Sequence, residues 1–173
     1  QKEDVSAYAS SLKIDEKQYR TYYRSINFSE EEFYIERNGH RTLVDLPRDV
    51  TFKGNIDERM YFYNERETVI KGQKIKPGTL LEAQFEDLFQ SNLLDRLKVV
   101  LSPDGFSIES MSFLKDAIAV AYMENVSTKI MLLYPEKNNY RIQKVNLGKT
   151  GVASIDSVRY ESNDFFIEYT DFL

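Results

Sequence analysis

Apolar and polar residues alternate through much of this chain, as they do in strands that bury one face. In one such stretch, Ile118, Val120 and Tyr122 fall on the same side. Comparable stretches follow one another and are separated by residues typical of loops and turns. The four stretches cover residues 107–114, 117–124, 128–134 and 141–147. The pattern predicts four short antiparallel strands in this segment.

The beginning of this segment recurs 47 residues later, since residues 107–113 read SIESMSF and residues 154–160 read SIDSVRY. The agreement in apolar and polar class continues beyond these runs, where Ile118 and Phe165 occupy equivalent positions. Four strands per unit and a period in the forties are typical of one blade of a β-propeller. The alternative is another antiparallel sheet protein in which two similar hairpins arose by chance.

The residues before this segment fit the same four-stranded unit. Its strands are predicted at residues 50–52, 59–63, 78–85 and 97–101. Between the last two, apolar residues recur at helical spacing. These residues are Phe85, Leu88, Phe89, Leu93 and Leu97. We therefore predict one short helix inserted near residues 85–97.

The first residues of the chain predict part of a further blade. Strands at 32–37 and 40–46 flank Asn38-Gly39, the residue pair preferred in type I′ hairpin turns. Upstream, the tyrosines at 19, 22 and 23 favour a strand. The spacing Ser29-x-x-Glu32 also fits the start of a helix.

The strand count predicts an all-β chain that contains whole and partial blades. The predicted blades are 1–46 (partial), 49–102, 107–147 and 154–173 (partial). A propeller needs roughly four to eight blades to close its ring. We therefore expect an open arc cut from a larger ring. The chain also begins with Gln1 rather than Met, which favours a piece of a longer protein.

Composition narrows the classes of function. The 173 residues are 42% hydrophobic and 29% charged, which is typical of a globular domain. A net charge of −5 argues against a nucleic-acid surface, and no apolar run is long enough to span a membrane. The absence of Cys excludes disulfides and a Cys nucleophile, and the single His excludes a multi-His metal site. We expect no cofactor.

The sequence contains no recognisable catalytic constellation. His40 follows the hairpin turn without a nucleophile near it in sequence, so we interpret it as structural or neutral. The acidic runs at 15–16, 30–32 and 65–67 are interpreted as solvated faces rather than metal sites. The 12 Tyr and 11 Phe are interpreted as core and cross-strand packing. We therefore assign no catalytic, cofactor-binding or metal-binding residue.

Several short stretches follow one another in an order and at a spacing that suggest a family. They are Asn38-Gly39 followed by Leu46-Pro47-Arg48-Asp49, Lys76-Pro77-Gly78-Thr79-Leu80-Leu81, Ser107-Ile108-Glu109-Ser110 with Leu114-Lys115-Asp116, Glu124-Asn125-Val126 followed by Lys129, and Tyr169-Thr170-Asp171-Phe172-Leu173. On these residues, positions 39–173 resemble the second half of the β-propeller domain of the prolyl oligopeptidase (prolyl endopeptidase) family, serine peptidases of the α/β-hydrolase type. The family often has Trp near residues 63–67 and 140, where this chain has none, so we expect a divergent bacterial member.

The resemblance implies an arc from a seven-bladed propeller whose hydrolase domain is absent from this chain. In the family, the propeller covers the hydrolase domain and admits only short, unstructured peptides, which a Ser-Asp-His triad cleaves after proline. No triad residue matches a position in this chain. The remaining site candidates are the innermost strands, which start near Val50, Ser107 and Ser154 and would border the central channel.

The resemblance therefore implies the non-catalytic, gating portion of a prolyl oligopeptidase-like peptidase. The expected partners are the hydrolase domain of the same polypeptide and short proline-containing peptides, with no nucleic acid and no membrane. The alternative is a stand-alone propeller or sheet module that binds a protein or peptide and has no enzymatic activity. The absence of Cys is compatible with the cytoplasm, and the periplasm is the alternative compartment.

Overall fold

The computed structural model describes residues 6–27, 30–148, 150–159 and 161–172. The chain divides into two compact units, between Ser102 and Pro103. Both units are built from antiparallel β-sheets, and the helices of the described ranges are two short 3-10 helices. No helix in the described part of the chain is long and apolar enough to cross a membrane.

A four-stranded sheet begins the first unit. Its strands are β1 (Ser6–Ile14), β2 (Lys17–Asn27), β3 (Glu30–Arg37) and β4 (His40–Leu43). They pair in the order β1-β2-β3-β4. The predicted Asn38-Gly39 hairpin is confirmed, because both residues have positive φ and the flanking residues pair. The three tyrosines lie in β2 as predicted, whereas Glu32 lies in β3 instead of starting a helix, and Ser29 lies outside the described residues.

The sequence predicts only part of a blade at residues 1–46, but the structure has four strands there. The strand that the sequence pattern did not reveal is β1, which reads SAYASSLKI. Only Leu12 and Ile14 of its nine residues are buried. An exposed edge strand of small and polar residues carries little period-two hydrophobic signal, so alternation alone does not identify it.

The second sheet completes the first unit. The described strands after β4 are β5 (Val50–Ile56), β6 (Arg59–Asn64), β7 (Thr68–Ile70), β8 (Gln73–Ile75), β9 (Thr79–Gln84) and β10 (Lys98–Leu101). Four of them form a sheet in the order β10-β9-β6-β5, and these confirm the four predicted strands. β7 and β8 form a separate small hairpin that the sequence analysis did not predict.

The predicted helix near residues 85–97 is two 3-10 helices, Phe85–Phe89 and Leu93–Asp95. Gln90 has extended backbone angles, and this ends the first helix after five residues. Phe85, Leu88 and Leu93 are buried as their helical spacing indicates. The apolar spacing was therefore informative, but it did not show that the segment is broken in the middle.

Aromatic side chains join the two sheets of the first unit. The ring of Phe33 in β3 stacks on Phe52 in β5 with 4.7 Å between centroids, and Phe52 meets Phe62 edge-on at 5.7 Å. Ile35 and Met60 belong to the same cluster and are fully buried. Facing sheets that bury such side chains gain stability roughly in proportion to the apolar area removed from water.

The second unit contains a four-stranded sheet and a two-stranded sheet. Their strands are β11 (Ser107–Phe113), β12 (Ile118–Glu124), β13 (Ser127–Pro135), β14 (Tyr140–Val145), β15 (Gly151–Val158) and β16 (Phe165–Asp171). The first four pair in the order β11-β12-β13-β14, as the sequence predicts. Small residues on β12, Ala119 and Ala121, allow Ile155 and Ala153 of β15 to approach this sheet closely.

The 47-residue repeat corresponds to structure. β12 begins at Ile118, and β16 begins 47 residues later at Phe165. The turns before these two strands also lie side by side: the backbone N–H of Asp116 donates to Oδ1 of Asn163 at 2.9 Å, and Nδ2 of Asn163 donates to Oδ2 of Asp116 at 2.9 Å. Equivalent turns of the two repeats are therefore neighbours, as in adjacent units of a repeat fold.

Candidate functional site

A row of apolar and aromatic residues crosses the first sheet between two charged rows. Ala9 lies opposite Tyr22, Tyr22 opposite Tyr34, and Tyr34 opposite Leu43. Cross-strand partners share a face of the sheet, so these four side chains form one row. Arg24 faces Glu32 in the row on one side, and Arg20 faces Glu36 in the row on the other side.

Hydrogen bonds fix the two tyrosine rings in this row. The hydroxyl of Tyr22 donates to Oε2 of Glu36 at 2.6 Å, and the hydroxyl of Tyr34 donates to Oε2 of Glu32 at 2.6 Å. Hydrogen bonds to a carboxylate are short and strong. The bond to Glu32 is the main reason that the pKa of Tyr34 is raised. Because the two hydroxyls are held on opposite sides, both rings keep a fixed orientation.

Arg41 reaches across the sheet and stacks on one of these rings. Its guanidinium carbon lies 3.7 Å from the centroid of the Tyr22 ring, a cation–π contact. Glu36 is the cross-strand partner of Arg41. No carboxylate in the described part of the chain forms an ion pair with Arg41, since Glu36 accepts the Tyr22 hydroxyl and lies 3.9 Å from Arg20.

These residues border an open groove of about 430 Å³. The groove is lined by Ala7, Ala9, Tyr22, Tyr34, Arg24 and Arg41, together with Tyr8 and Tyr23. Both charged residues of the lining are arginines, and Arg24 lies 3.4 Å from Glu32. The groove therefore combines aromatic walls, small side chains and positive charge.

The opposite face of this sheet connects to the core of the first unit through aromatic contacts. Tyr8 stacks on Tyr23 at 4.6 Å, and Tyr23 stacks on Phe33 at 5.0 Å. Burial raises the pKa of Tyr23 to about 12, with nearby Tyr8 and Glu31 adding smaller effects. The tyrosines of β2 thus have two roles, since Tyr23 packs toward the core while Tyr22 faces the groove.

The residues considered for catalysis or metal binding are not assembled into a site. His40 is exposed at the start of β4, where it pairs with Arg37 across the hairpin. Glu65 faces Lys53 at 3.8 Å, and Glu67 contacts Lys74 at 2.9 Å. Within the described ranges, no group of three or more His, Cys, Asp or Glu is placed to hold a metal ion.

The strands proposed as innermost share one feature. Val50 begins β5 and Ser107 begins β11, whereas Ser154 lies inside β15. Each of these strands contains a β-bulge in its pairing with the next strand, and each lies at an edge of its sheet. β1 is the equivalent first strand of the first sheet and adds a fourth candidate. That these strands border a channel stays a prediction.

A second hollow, of about 330 Å³, lies in the second unit. It is lined mainly by polar residues, including Ser127, Thr128 and Asn146. Lys129 lines it as well, but its ammonium is paired with Glu124. This hollow therefore offers hydrogen-bonding groups without an unpaired charge from that lysine.

The sequence analysis missed the groove because it interpreted every tyrosine as packing. A signal was present: Arg20-x-Tyr22-x-Arg24 and Glu32-x-Tyr34-x-Glu36 are two triplets with period two, the same centre and opposite charges. Paired strands with these triplets in register would place two tyrosines side by side and every Arg opposite a Glu. Only the register decides that the triplets meet, and the structure supplies it.

Comparison with known structures shows what fold these sheets form. A post-proline cleaving enzyme from Rickettsia typhi matches 96% of this chain with a TM-score of 0.82 and 20% identity, over 25% of its own chain. A structure from a structural and mechanistic analysis of two prolyl endopeptidases matches 96% of this chain with a TM-score of 0.65 and 16% identity, over 23% of its own chain. No family model and no curated protein matches the sequence.

The structural likeness confirms the predicted fold class, an all-β partial propeller of four-stranded antiparallel sheets. It also confirms the predicted resemblance to prolyl endopeptidases at the level of fold. This chain spans about a quarter of the length of the peptidases it matches.

Proposed function

We propose that this chain is the non-catalytic propeller portion of a prolyl oligopeptidase-like serine peptidase. In this role it limits access of peptides to an active site in an α/β-hydrolase domain of the same polypeptide, which cleaves short peptides after proline. The observation that supports the proposal is the structural match to a post-proline cleaving enzyme over 96% of the chain. The parent protein is proposed to act in the cytoplasm, with the periplasm as the alternative.

The first test of this function is the coding sequence that follows Leu173. We expect it to encode a hydrolase domain with a Gly-x-Ser-x-Gly turn, which exposes a nucleophilic serine. The full-length protein should then hydrolyse a short chromogenic peptide with proline before the scissile bond. A matched peptide with alanine in place of proline is the control. Failure to cleave the proline peptide would refute the peptidase assignment.

The gating role has a separate test with the same protein. We expect full-length enzyme to cleave the short proline peptide and to leave the same sequence intact within a folded protein domain. The sequence placed in an unstructured segment of the same length separates the effect of folding from that of length. Equal cleavage of the short peptide and of the folded domain would refute gating while leaving the peptidase assignment standing.

The second candidate function is a stand-alone module that binds a peptide or protein without catalysis. The groove on the first sheet favours it, because an open surface with aromatic walls and positive charge suits a peptide. Absence of hydrolysis by the full-length protein, together with stable binding of a partner in a pull-down, would establish this function in place of the first.

A further inference from the structure

The turn between β3 and β4 contains the one asparagine of the sequence that is followed by glycine. The sequence has ten asparagines, and the residue after each of the other nine carries a side chain. Asn38 and Gly39 are both exposed at the tip of this hairpin. An asparagine in this position can react with the backbone that follows it.

The reaction is an attack by the backbone nitrogen of Gly39 on the side-chain carbonyl carbon of Asn38. The nitrogen loses its proton, a new C–N bond closes a five-membered succinimide ring, and the side-chain nitrogen leaves as ammonia. Water then opens the ring at one of its two carbonyl carbons. Opening at the former side-chain carbon gives Asp, and opening at the former main-chain carbon gives isoaspartate, in which the backbone runs through the side chain. Water is the co-reactant, and nothing is oxidised or reduced.

The turn leaves the attacking nitrogen accessible. Glycine has no Cβ that would shield it. A methyl group placed on Gly39 would meet no atom of the described structure within 4 Å, so the space beside the nitrogen is open. The N–H of Gly39 does not close the turn either, because a two-residue turn is closed by hydrogen bonding between the residues that flank it, here Arg37 and His40.

Other asparagines of the described ranges are held in place by their surroundings. Nδ2 of Asn55 donates to the carbonyl oxygen of Lys13 at 2.9 Å, and Nδ2 of Asn163 donates to the carboxylate of a neighbouring turn at 2.9 Å. Asn64 is fully buried. These side chains lose contacts if they rotate toward the following nitrogen, so we expect Asn38 to react before them.

The two products affect the hairpin differently. Asp keeps the length of the backbone and tolerates positive φ at this position. Isoaspartate adds a methylene group to the backbone of a turn that fixes the register of its two strands. β4 has only four residues, and within the described part of the chain its sheet partner is β3. A longer turn therefore weakens the pairing that places Arg41 on the ring of Tyr22.

We propose that Asn38 is a site of spontaneous deamidation, at which the folded protein forms Asp and isoaspartate with release of ammonia, and that the isoaspartate product loosens β4. The juxtaposition that carries the proposal is an exposed Asn before an unshielded glycine nitrogen in a turn that sets a strand register. The proposal does not depend on the peptidase assignment.

The experiment incubates the purified protein containing this chain in heavy-oxygen water at mildly alkaline and at mildly acidic pH, and then digests it with chymotrypsin in ordinary water. Cleavage after Tyr34 and Leu43 releases residues 35–43, in which Asn38 is the only asparagine. This fragment should become three daltons heavier, one from the change of amide to acid and two from the heavy oxygen. Deamidation during digestion adds one dalton only. The gain should be faster at alkaline pH, because the attacking nitrogen must lose its proton.

A synthetic peptide of residues 35–43, incubated in parallel, shows how much the fold slows the reaction. Local opening of a hairpin tip costs little free energy, so the folded protein should react at most about tenfold more slowly than the peptide. Fragments that contain the other asparagines should keep their mass over the same time. Slower reaction of the folded protein would show that the turn protects Asn38, and equal reaction at several asparagines would show that this turn is not special. Either result would overturn the proposal.

The matched control variant is Asn38→Lys, because the chain already uses Lys in an equivalent turn. Lys71 and Gly72 close the β7–β8 hairpin with φ of 52° and 73°, against 53° and 77° for Asn38 and Gly39. A lysine at this position therefore fits the backbone, and it has no amide that the glycine nitrogen can displace. The variant should keep the mass of its turn fragment through the same incubation.

Hydrogen exchange tests the effect on β4. The backbone N–H of Val44 donates to the carbonyl oxygen of Phe33 at 2.9 Å, just beyond the end of β4. Exchange of this amide should become faster in the incubated parent protein and stay unchanged in incubated Asn38→Lys and in fresh Asn38→Asp. Equal exchange in the incubated parent and in Asn38→Lys would refute the loosening of β4. Faster exchange in fresh Asn38→Asp would refute the role of isoaspartate, because the added charge would then be sufficient.

Discussion

Asn64 is a buried polar side chain of the first unit, and changing it gives a sharp test of how the second sheet is held together. It lies at the end of β6 and is fully buried. Its Nδ2 donates to the carbonyl oxygens of Ile75 at 3.3 Å and Lys76 at 3.0 Å, while its Oδ1 has no hydrogen-bond partner among the described residues. The side-chain amide therefore connects the end of the β7–β8 hairpin to β6 of the second sheet.

The change Asn64→Asp replaces this donor with an oxygen that faces two carbonyl oxygens. An unpaired carboxylate at a buried site is strongly disfavoured, so the group remains protonated in the folded protein and its pKa rises. The unfolded chain ionises with a pKa of about 3.9. Keeping the group protonated at pH 7 therefore costs about 4 kcal/mol, and at pH 4 it costs about 0.5 kcal/mol. Loss of one donor adds about 1 kcal/mol at both values of pH.

The sign of the pH dependence follows from the raised pKa. When the pKa of a group is higher in the folded than in the unfolded protein, the group does not reduce the free energy of unfolding at pH values below the unfolded pKa. As the pH rises from the unfolded pKa toward the folded pKa, the free energy of unfolding falls. Urea denaturation should therefore show Asn64→Asp to be less stable than the parent by about 5 kcal/mol at pH 7 and by about 1.5 kcal/mol at pH 4.

The matched control is Asn146→Asp. Asn146 is exposed, and its Oδ1 accepts the backbone N–H of Gly148 at 2.9 Å, a bond that a carboxylate preserves. This variant should change stability by less than about 0.5 kcal/mol at either pH. If Asn64→Asp lowers the free energy of unfolding by the same amount at pH 4 and at pH 7, the role assigned to the buried amide is refuted.

Four further predictions concern the repeat, two turns and the sheet edges. Gly151→Ala should destabilise the protein by about 1–3 kcal/mol in urea denaturation, because a Cβ at this position would lie 2.3 Å from the carbonyl oxygen of Thr170; a change under 0.5 kcal/mol would contradict the close approach. A double-mutant cycle of Asp116→Ala and Asn163→Ala should give a coupling energy of about 0.5–1 kcal/mol from the hydrogen bond that Nδ2 of Asn163 donates to Oδ2 of Asp116, and additive effects would show that the two side chains are not coupled. Val126→Asn should stabilise the protein by about 1 kcal/mol, because Val126 is β-branched with a φ of 57° and is 78% exposed; a lower thermal midpoint would refute the strain. Free edges should make the isolated chain self-associate with rising concentration, and a stable monomer across a sedimentation series would argue against this.

The strands that the sequence predicted best are those whose signal is local. The alternation in β12 and the loop residues around it are sufficient to locate that strand. The Asn38-Gly39 pair determines its hairpin because both residues tolerate positive φ. The features that the sequence analysis did not predict have no such local signal. β1 carries small and polar residues, so it becomes a strand by pairing with β2, and the break at Gln90 does not alter the apolar spacing on either side of it.

The amino-acid sequence alone determined the all-β class, the strands from residue 107 to 147, the 47-residue repeat and the resemblance to prolyl endopeptidases, because period and turn chemistry are properties of neighbouring residues. Tertiary structure alone decided which strands pair in which register, and hence that Tyr22 lies beside Tyr34 and that Arg41 lies over Tyr22. The groove is made of residues from four strands that are up to 34 positions apart in the chain. A surface of this kind depends on hydrogen-bond register, and a shift by one residue would turn every side chain to the other face.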